Sequence, residues 1–108
     1  MTKDEAKVLW VLEEAPEVIK EFGWHQGSYG DSKQGYCLMG AIDRAATRLK
    51  ISPRTRIVQE AFAQVSVDLS GERRGSLSYW NDAPTTTKRK VLALLRKTAK
   101  RMRKEVTV

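Results

Sequence analysis

The segment from residue 85 to residue 104 separates apolar from cationic side chains in the way that one amphipathic helix requires. At about 100° per residue, one third of the circumference holds the apolar set Val91, Leu92, Leu95, Thr98, Ala99 and Met102. The other side holds the cations Arg89, Lys90, Arg96, Lys97, Lys100, Arg101, Arg103 and Lys104. The pattern predicts a C-terminal helix over about residues 86–104 whose apolar side is buried by the rest of the chain.

The same segment holds the net charge of the protein. Nine of the 20 Lys+Arg lie between Lys88 and Lys104, whereas Glu105 is the only one of 13 Asp+Glu beyond residue 85. Residues 1–84 therefore carry eleven positive against twelve negative charges, and the overall charge of +7 comes from the end of the chain. Such a split favours a polyanionic partner, nucleic acid first. The alternative is a solvated outer face whose last cations complement the helix dipole.

Length and composition describe one ordinary globular domain. A chain of 108 residues with 41% hydrophobic and 31% charged residues can bury a single core. No apolar run approaches the roughly 18 residues of a membrane span, and the apolar side of the last helix lacks the Trp or Phe of an interfacial helix. We expect a cytoplasmic protein without a membrane partner.

The cysteine and histidine counts bear on metals and cofactors. One cysteine excludes an internal disulfide, and Cys37 with the single histidine supplies too few ligands for a tetrahedral zinc site. We expect neither a metal nor a cofactor.

A first helical segment is predicted near the N-terminus. Thr2 and Glu5 have the spacing of a capping box, and Gly23 marks an end. Pro16 either kinks this helix or begins a new one. The apolar run 7–12 fits a helix better than the alternative of a buried strand, because strong helix formers flank it.

A long glycine-rich loop, residues 24–35, separates this segment from the next. We predict that helix resumes at Tyr36. The apolar residues that recur on one side of this second helix, its apolar stripe, are Cys37, Leu38, Ala41, Ile42, Ala45, Ala46 and Leu49. Gly40 and Ala41 are small enough to let a neighbour approach closely.

The next helix is predicted to start with Ser52 as N-cap and Pro53 in its first position. Its stripe is Ile57, Val58, Ala61, Phe62, Val65 and Leu69, with a strand alternative in the alternation at residues 65–69. A short turn of helix burying Leu77 and Trp80 comes before the last helix. The sequence thus predicts an all-α fold, a single domain over 1–108 with four to five helices.

Two further patterns have competing interpretations. The corner before Arg54 and Arg56 can be read as a helix-turn-helix presenting both arginines to bases, or as a plain helix-helix corner, which we favour because the turn lacks glycine. Cys37, in the first turn of a helix, can be read as a nucleophile with His25 and Asp82. We favour a small buried hydrophobe, because Cys37 lies on the apolar stripe.

Aromatic and polar residues concentrate in the two irregular segments. If these segments meet, they form a loop pocket suited to stacking a base or holding a peptide. Its residues are Trp24, His25, Gln26, Tyr36, Tyr79, Trp80, Asn81 and Asp82. The structural interpretation, which we prefer, makes both tryptophans part of the core and makes Asn81 and Asp82 caps of a turn.

Several short motifs resemble an uncharacterised family of small proteins from actinobacteria and their phages, a domain of unknown function. They are Gly23-Trp24, Gln26-Gly27, Cys37-Leu38-Met39-Gly40-Ala41 and Trp80-Asn81-Asp82-Ala83-Pro84 with the threonines that follow. The resemblance spans most of residues 18–99, although Gly35 lies two residues before the cysteine rather than three. It implies a single domain in a phage or actinobacterial setting and no activity.

Three functions follow as expectations, in this order. The first is a non-enzymatic accessory protein that docks a polyanion, nucleic acid above all, on its C-terminal helix. The second is a protein-protein interaction module that meets a host protein through the aromatic loops, and the third is an enzyme built on Cys37. The sequence leaves the oligomeric state open.

Overall fold

The computed structural model describes residues 2–106 and shows an all-α domain built around its first helix, α1, at Lys3–Phe22. The N-cap is Thr2, whose Oγ1 accepts a hydrogen bond from Glu5 N at 3.1 Å, as the capping-box spacing predicts. The run 7–12 is helical, so the strand alternative is wrong. α1 packs against all three of the other long helices described below.

Pro16 lies inside α1 without ending it, which excludes the alternative of a new helix starting there. An interior proline removes one backbone hydrogen bond and costs about 3 kcal/mol. Pro16 itself is buried, and Val18 and Ile19 just beyond it are fully buried, so core packing outweighs that cost. Gly23 then ends the helix at φ 98°, where a side chain would be strained.

The glycine-rich loop contains a small hairpin that the sequence did not predict. Its strands are β1 at Gly30–Asp31 and β2 at Gly35–Tyr36, paired antiparallel with Gly30 opposite Tyr36. Tyr36 was expected to be helical and is not, because its N–H donates to Gly23 O and its carbonyl accepts from His25 N. Long-range pairing has overridden local helix propensity at this position.

The second helix, α2, therefore begins two residues later, at Leu38–Arg48, with Cys37 as its N-cap. Its predicted stripe is confirmed from Leu38 to Ala46, all fully buried, but Leu49 lies beyond the helix and is 37% exposed. A Cβ on Gly40 would lie 2.1 Å from Tyr29 O, so this glycine is what lets the loop rest on α2.

The start of the third helix differs from the prediction. α3 is Arg56–Ser70, and Thr55 rather than Ser52 is its N-cap. Thr55 Oγ1 donates to Ser52 O, which folds residues 52–55 into a turn, so Pro53 lies outside the helix. The strand alternative at residues 65–69 is wrong, because α3 continues until Gly71 caps it in the left-handed conformation at φ 81°.

Two more helices complete the fold within the described residues. α4 is Leu77–Asp82, which buries Leu77 but leaves Trp80 only half-buried. α5 is Lys88–Val106, starting two residues after the predicted boundary because Thr87 Oγ1 accepts from Lys90 N as a cap. Neither α1 nor α5, the two helices that approach the length of a bilayer, is apolar enough to cross one, and the same holds for the rest of residues 2–106.

Candidate nucleic-acid interface

The apolar side of α5 is buried in the core, as the periodicity predicts. Val91, Leu95 and Thr98 are fully buried, and Thr98 satisfies its hydroxyl by donating to Leu94 O. Ala99, Met102 and the half-buried Leu92 pack in the same layer, and they are joined by Leu94, which lies beside the predicted stripe. Because this side faces α1 and α3, the opposite side faces solvent.

Six of the eight predicted cations are exposed and form no ion pair with any carboxylate of residues 2–106. They are Arg89, Lys90, Arg96, Lys97, Lys100 and Lys104. At about 100° per residue, all of these except Lys90 fall within roughly 100° of the helix surface, and at 1.5 Å per residue they extend over about 22 Å. Ala93 is the exposed uncharged residue among them. We call this set of five residues with Ala93 the basic face.

Arg101 does not belong to the basic face. Its Nε donates to both carboxylate oxygens of Asp68 at 3.0 and 3.1 Å, and its Nη2 donates to Gln64 Oε1 at 2.7 Å. A further bond reaches Glu105 Oε1 on the same helix at 3.0 Å. Arg101 thus fixes α5 to α3, and its charge is compensated inside the molecule.

Arg103 is also held by an acid of its own chain. Its Nε donates to Glu13 Oε2 at 2.9 Å, and its Nη2 contacts the same oxygen. This pair joins α5 to α1 across 90 residues of sequence. Two of the eight predicted polyanion-binding residues therefore have structural partners, although Arg103 remains largely exposed at the edge of the basic face.

The first turn of α5 adds positive charge where the helix itself is positive. Lys88, Arg89 and Lys90 are all exposed there, and Lys90 Nζ donates to Thr85 O at 2.7 Å. Cations at a helix N-terminus lose a few tenths of a kcal/mol each to the dipole. Dipole compensation therefore does not account for the cations at this end of the helix, where an anion would be stabilised.

The two irregular segments do meet, and Asn81 is where they join. Asn81 is fully buried, and its Oδ1 accepts from Trp24 Nε1 at 2.7 Å and from Leu38 N at 3.0 Å. Its Nδ2 donates to His25 O and to Asp82 Oδ1, both at 3.0 Å. One side chain thereby ties the loop, the start of α2 and the end of α4 together.

The neighbours of Asn81 extend the same network. Gln26 Nε2 donates to Asn81 O at 3.0 Å, and Asp82 Oδ1 accepts from Gly27 N at 2.9 Å. This backbone donor, with help from Asn81, holds the pKa of the Asp82 carboxyl below its usual value. His25 Nε2 lies 3.0 Å from Ser28 Oγ. These polar groups are engaged in holding the loop.

The predicted pocket residues that remain are spread over different environments. Tyr36 is 9% exposed and packs edge-on against Phe22, with ring centroids 5.7 Å apart. Trp80 is half-buried against the core, whereas Tyr79 is 80% exposed. The structure therefore brings Trp24, His25 and Gln26 to Asn81 and Asp82, places Tyr36 in the core and leaves Tyr79 in solvent.

Cys37 has a structural role at the start of α2. It is 3% exposed, and its Sγ accepts from Gly40 N at 3.3 Å as the N-cap. Burial raises the pKa of this thiol, which works against the thiolate that nucleophilic chemistry needs. Within residues 2–106, no three His, Cys, Asp or Glu side chains are grouped as metal ligands would be.

Arg54 and Arg56, the pair of the helix-turn-helix interpretation, are exposed, but their surroundings differ from that motif. Seven residues, 49–55, separate α2 from α3, where the motif has a turn of three to four residues. Arg54 lies in the turn and only Arg56 is helical.

The acids that pair with Arg101 and Arg103 could not be identified from the sequence. Asp68 and Glu13 lie 33 and 90 residues from their arginines, and neither belongs to a motif. Glu13 lies on the polar side of its helix and gives no signal, whereas Asp68 falls at the angle of the apolar stripe of α3, between Ile57 and Ala61, which marks it as an acid that needs a partner.

The protein is thus a small helical domain with a basic face on α5 and a loop held in place by the hydrogen bonds of a buried asparagine. The chain belongs to the family of unknown function DUF6197, whose sequence model matches residues 4–101. The match runs from α1 into α5 and confirms the expected membership of a family without assigned function. Comparisons with curated proteins and with solved structures gave no match.

Proposed function

We propose that this protein is a non-enzymatic accessory protein that binds nucleic acid, as a polyanion, through the basic face of α5. The observation that carries the proposal is the row of exposed cations along about 22 Å of helix without a compensating acid among the described residues. We further propose the phage or actinobacterial setting that the sequence motifs imply.

Solubility alone is a weaker explanation of this face. Elsewhere on the molecule, exposed charges of both signs are interspersed, and several bases pair with acids, as Arg48 does with Glu14 and Arg73 with Glu60. On α5, the arginines nearest to other helices are paired in the same way, and only the outward side is left with a single sign. A mixed-sign surface serves solubility, whereas a single-sign face raises the local concentration of a counter-charged partner.

The chemistry of the basic face favours the nucleic-acid backbone over the bases. Apart from Ala93, the basic face consists of lysine and arginine, and it lacks the Asn or Gln that reads adenine and the aromatic side chains that stack on bases. Lysine and arginine side chains contact phosphates without regard to sequence. The proposed binding is therefore electrostatic and sequence-independent.

A direct binding measurement tests this proposal. Fluorescence anisotropy with a labelled duplex of about 24 base pairs at about 20 mM salt should show tight binding, and a second duplex of unrelated sequence should bind equally well. A labelled single strand should also bind, with no advantage from base stacking. Failure of both duplexes to bind at this ionic strength would refute the proposal, and a strong preference between them would refute backbone-only recognition.

A second candidate is contact with a host protein through the aromatic loops. The observation in its favour is Tyr79, a large side chain that is 80% exposed on α4. This candidate predicts capture of a host protein that survives nuclease and high salt but is lost with Tyr79→Ala. Capture that nuclease abolishes would favour the basic face instead.

A further inference from the structure

A cleft of about 510 Å³ lies between α2, α3 and the turn before α4. Its walls are apolar: Met39, Phe62, Ala63 and Leu77. Met39 and Phe62 are half-buried and pack against the core, so each presents one apolar surface to the cleft. The rim is polar and exposed, formed by Gln59, Arg73 and Arg74.

The turn that carries the two arginines is held in place by a buried serine. Ser66 on α3 is 1% exposed, and its Oγ accepts from Gly75 N at 2.7 Å and donates to Glu72 O. A Cβ on Gly75 would lie 2.6 Å from the same Oγ, so a larger residue here would displace this hydroxyl. The turn 71–75 is therefore fixed over the cleft.

The two arginines at the rim have different surroundings. Arg73 forms a two-bonded pair with Glu60, which lowers the pKa of that carboxyl and compensates the charge of Arg73. Arg74 is exposed and has no acidic partner within residues 2–106. One uncompensated guanidinium thus lies beside an apolar wall.

We propose that this cleft binds an acidic peptide segment of a partner protein, with a large apolar side chain against Met39 and Phe62 and a carboxylate on Arg74. Charge complementarity supports this occupant, since Arg74 leaves the rim of the cleft with one uncompensated positive charge. The side-chain amide of Gln59 can bond to the peptide backbone. Nucleic acid fits poorly, because a single uncompensated cation gives little phosphate binding compared with α5.

The cleft and the basic face lie on different sides of α3. Gln64 and Asp68 face α5, where they hold Arg101. Gln59 and Phe62 face the cleft. Both surfaces can therefore be occupied at once, so the protein would bring an acidic partner to nucleic acid. The cleft proposal does not depend on nucleic-acid binding.

The test uses a fluorescein-labelled peptide, Asp-Glu-Phe-Leu-Asp-Glu, in anisotropy titrations at about 150 mM salt, where screening weakens exposed charge contacts. The full chain should bind it with a dissociation constant on the order of 100 µM, as expected of a small interface. Arg74→Glu should weaken binding at least tenfold, whereas Arg74→Lys should retain most of it. Replacing Phe by Ala in the peptide should weaken binding by about tenfold.

Matched controls separate this cleft from the basic face and from other ligands. Lys97→Glu makes the same charge change on α5 and should leave peptide binding unchanged, while Ala63→Trp should fill the cleft and abolish it. Amide shifts on titration should centre on Met39 and Phe62 in NMR spectra. No peptide binding at millimolar concentration, greater sensitivity to Lys97→Glu than to Arg74→Glu, or binding of decanoate in place of the peptide would overturn the proposal.

Discussion

Replacing Asn81 with alanine is expected to lower the free energy of unfolding by about 3–5 kcal/mol, because buried donors without partners cost about 1–3 kcal/mol each. The substitution leaves Leu38 N and Trp24 Nε1 without their acceptor. It also removes the donor to His25 O, which helps to hold the loop. For a domain of this size, the melting temperature should fall by roughly 15–25 °C. Thermal and denaturant unfolding followed by circular dichroism measure both quantities.

Asp82→Ala provides the matched control for this loss. Asp82 is adjacent and accepts from Gly27 N and from Asn81 Nδ2, but it is exposed, so water can replace both lost bonds. We expect a change of about 1 kcal/mol or less. If Asn81→Ala were no more destabilising than Asp82→Ala, the hydrogen bonds of Asn81 would not be what holds the loop to α2 and α4.

The second large effect concerns the basic face. Reversing four of its exposed cations to glutamate, at Arg96, Lys97, Lys100 and Lys104, should weaken duplex binding at low salt by at least about 1,000-fold. None of these four forms an ion pair within the described residues, so the variant should unfold at nearly the same denaturant concentration as the parent chain. Anisotropy titrations with the duplex used above give the affinities.

A control of equal charge change lies elsewhere on the surface. Reversing Lys3, Lys33, Lys50 and Arg54, all exposed and outside α5, alters the net charge by the same amount. This variant should lose only about tenfold in affinity, through the weaker general field. Equal losses in the two variants would mean that net charge, rather than the basic face, attracts the nucleic acid.

Much of the fold followed from periodicity, and the exceptions have physical causes. The stripes of α2, α3 and α5 were predictable because burial repeats with the helical period. Tyr36 was assigned to a helix because nothing local shows that Gly23 and His25 would pair with it. Likewise Ser52-Pro53 has the residues of a helix start, yet Thr55 occupies the N-cap position and its hydroxyl bonds back to Ser52 O.

The sequence predicted which side of α5 carries the cations, but not which of those cations pair with acids. Helical spacing placed all eight cations opposite the apolar stripe, and six of them are unpaired as a binding surface needs. That Arg101 meets Asp68 depends on how α3 and α5 pack, which no pattern within either helix encodes. The role of Asn81 could not be predicted for the same reason, because two of its hydrogen-bond partners lie 43 and 57 residues away in the sequence.

The central claim is that phosphates contact the row of unpaired lysines and arginines on α5, and the salt dependence of duplex binding tests it most directly. With four to six phosphate contacts, the slope of log affinity against log salt should lie between about −3.6 and −5.4. Affinity should then fall by about 100- to 2,000-fold between 50 and 200 mM salt. A slope shallower than about −1, or binding that persists unchanged at 200 mM salt, would contradict the account.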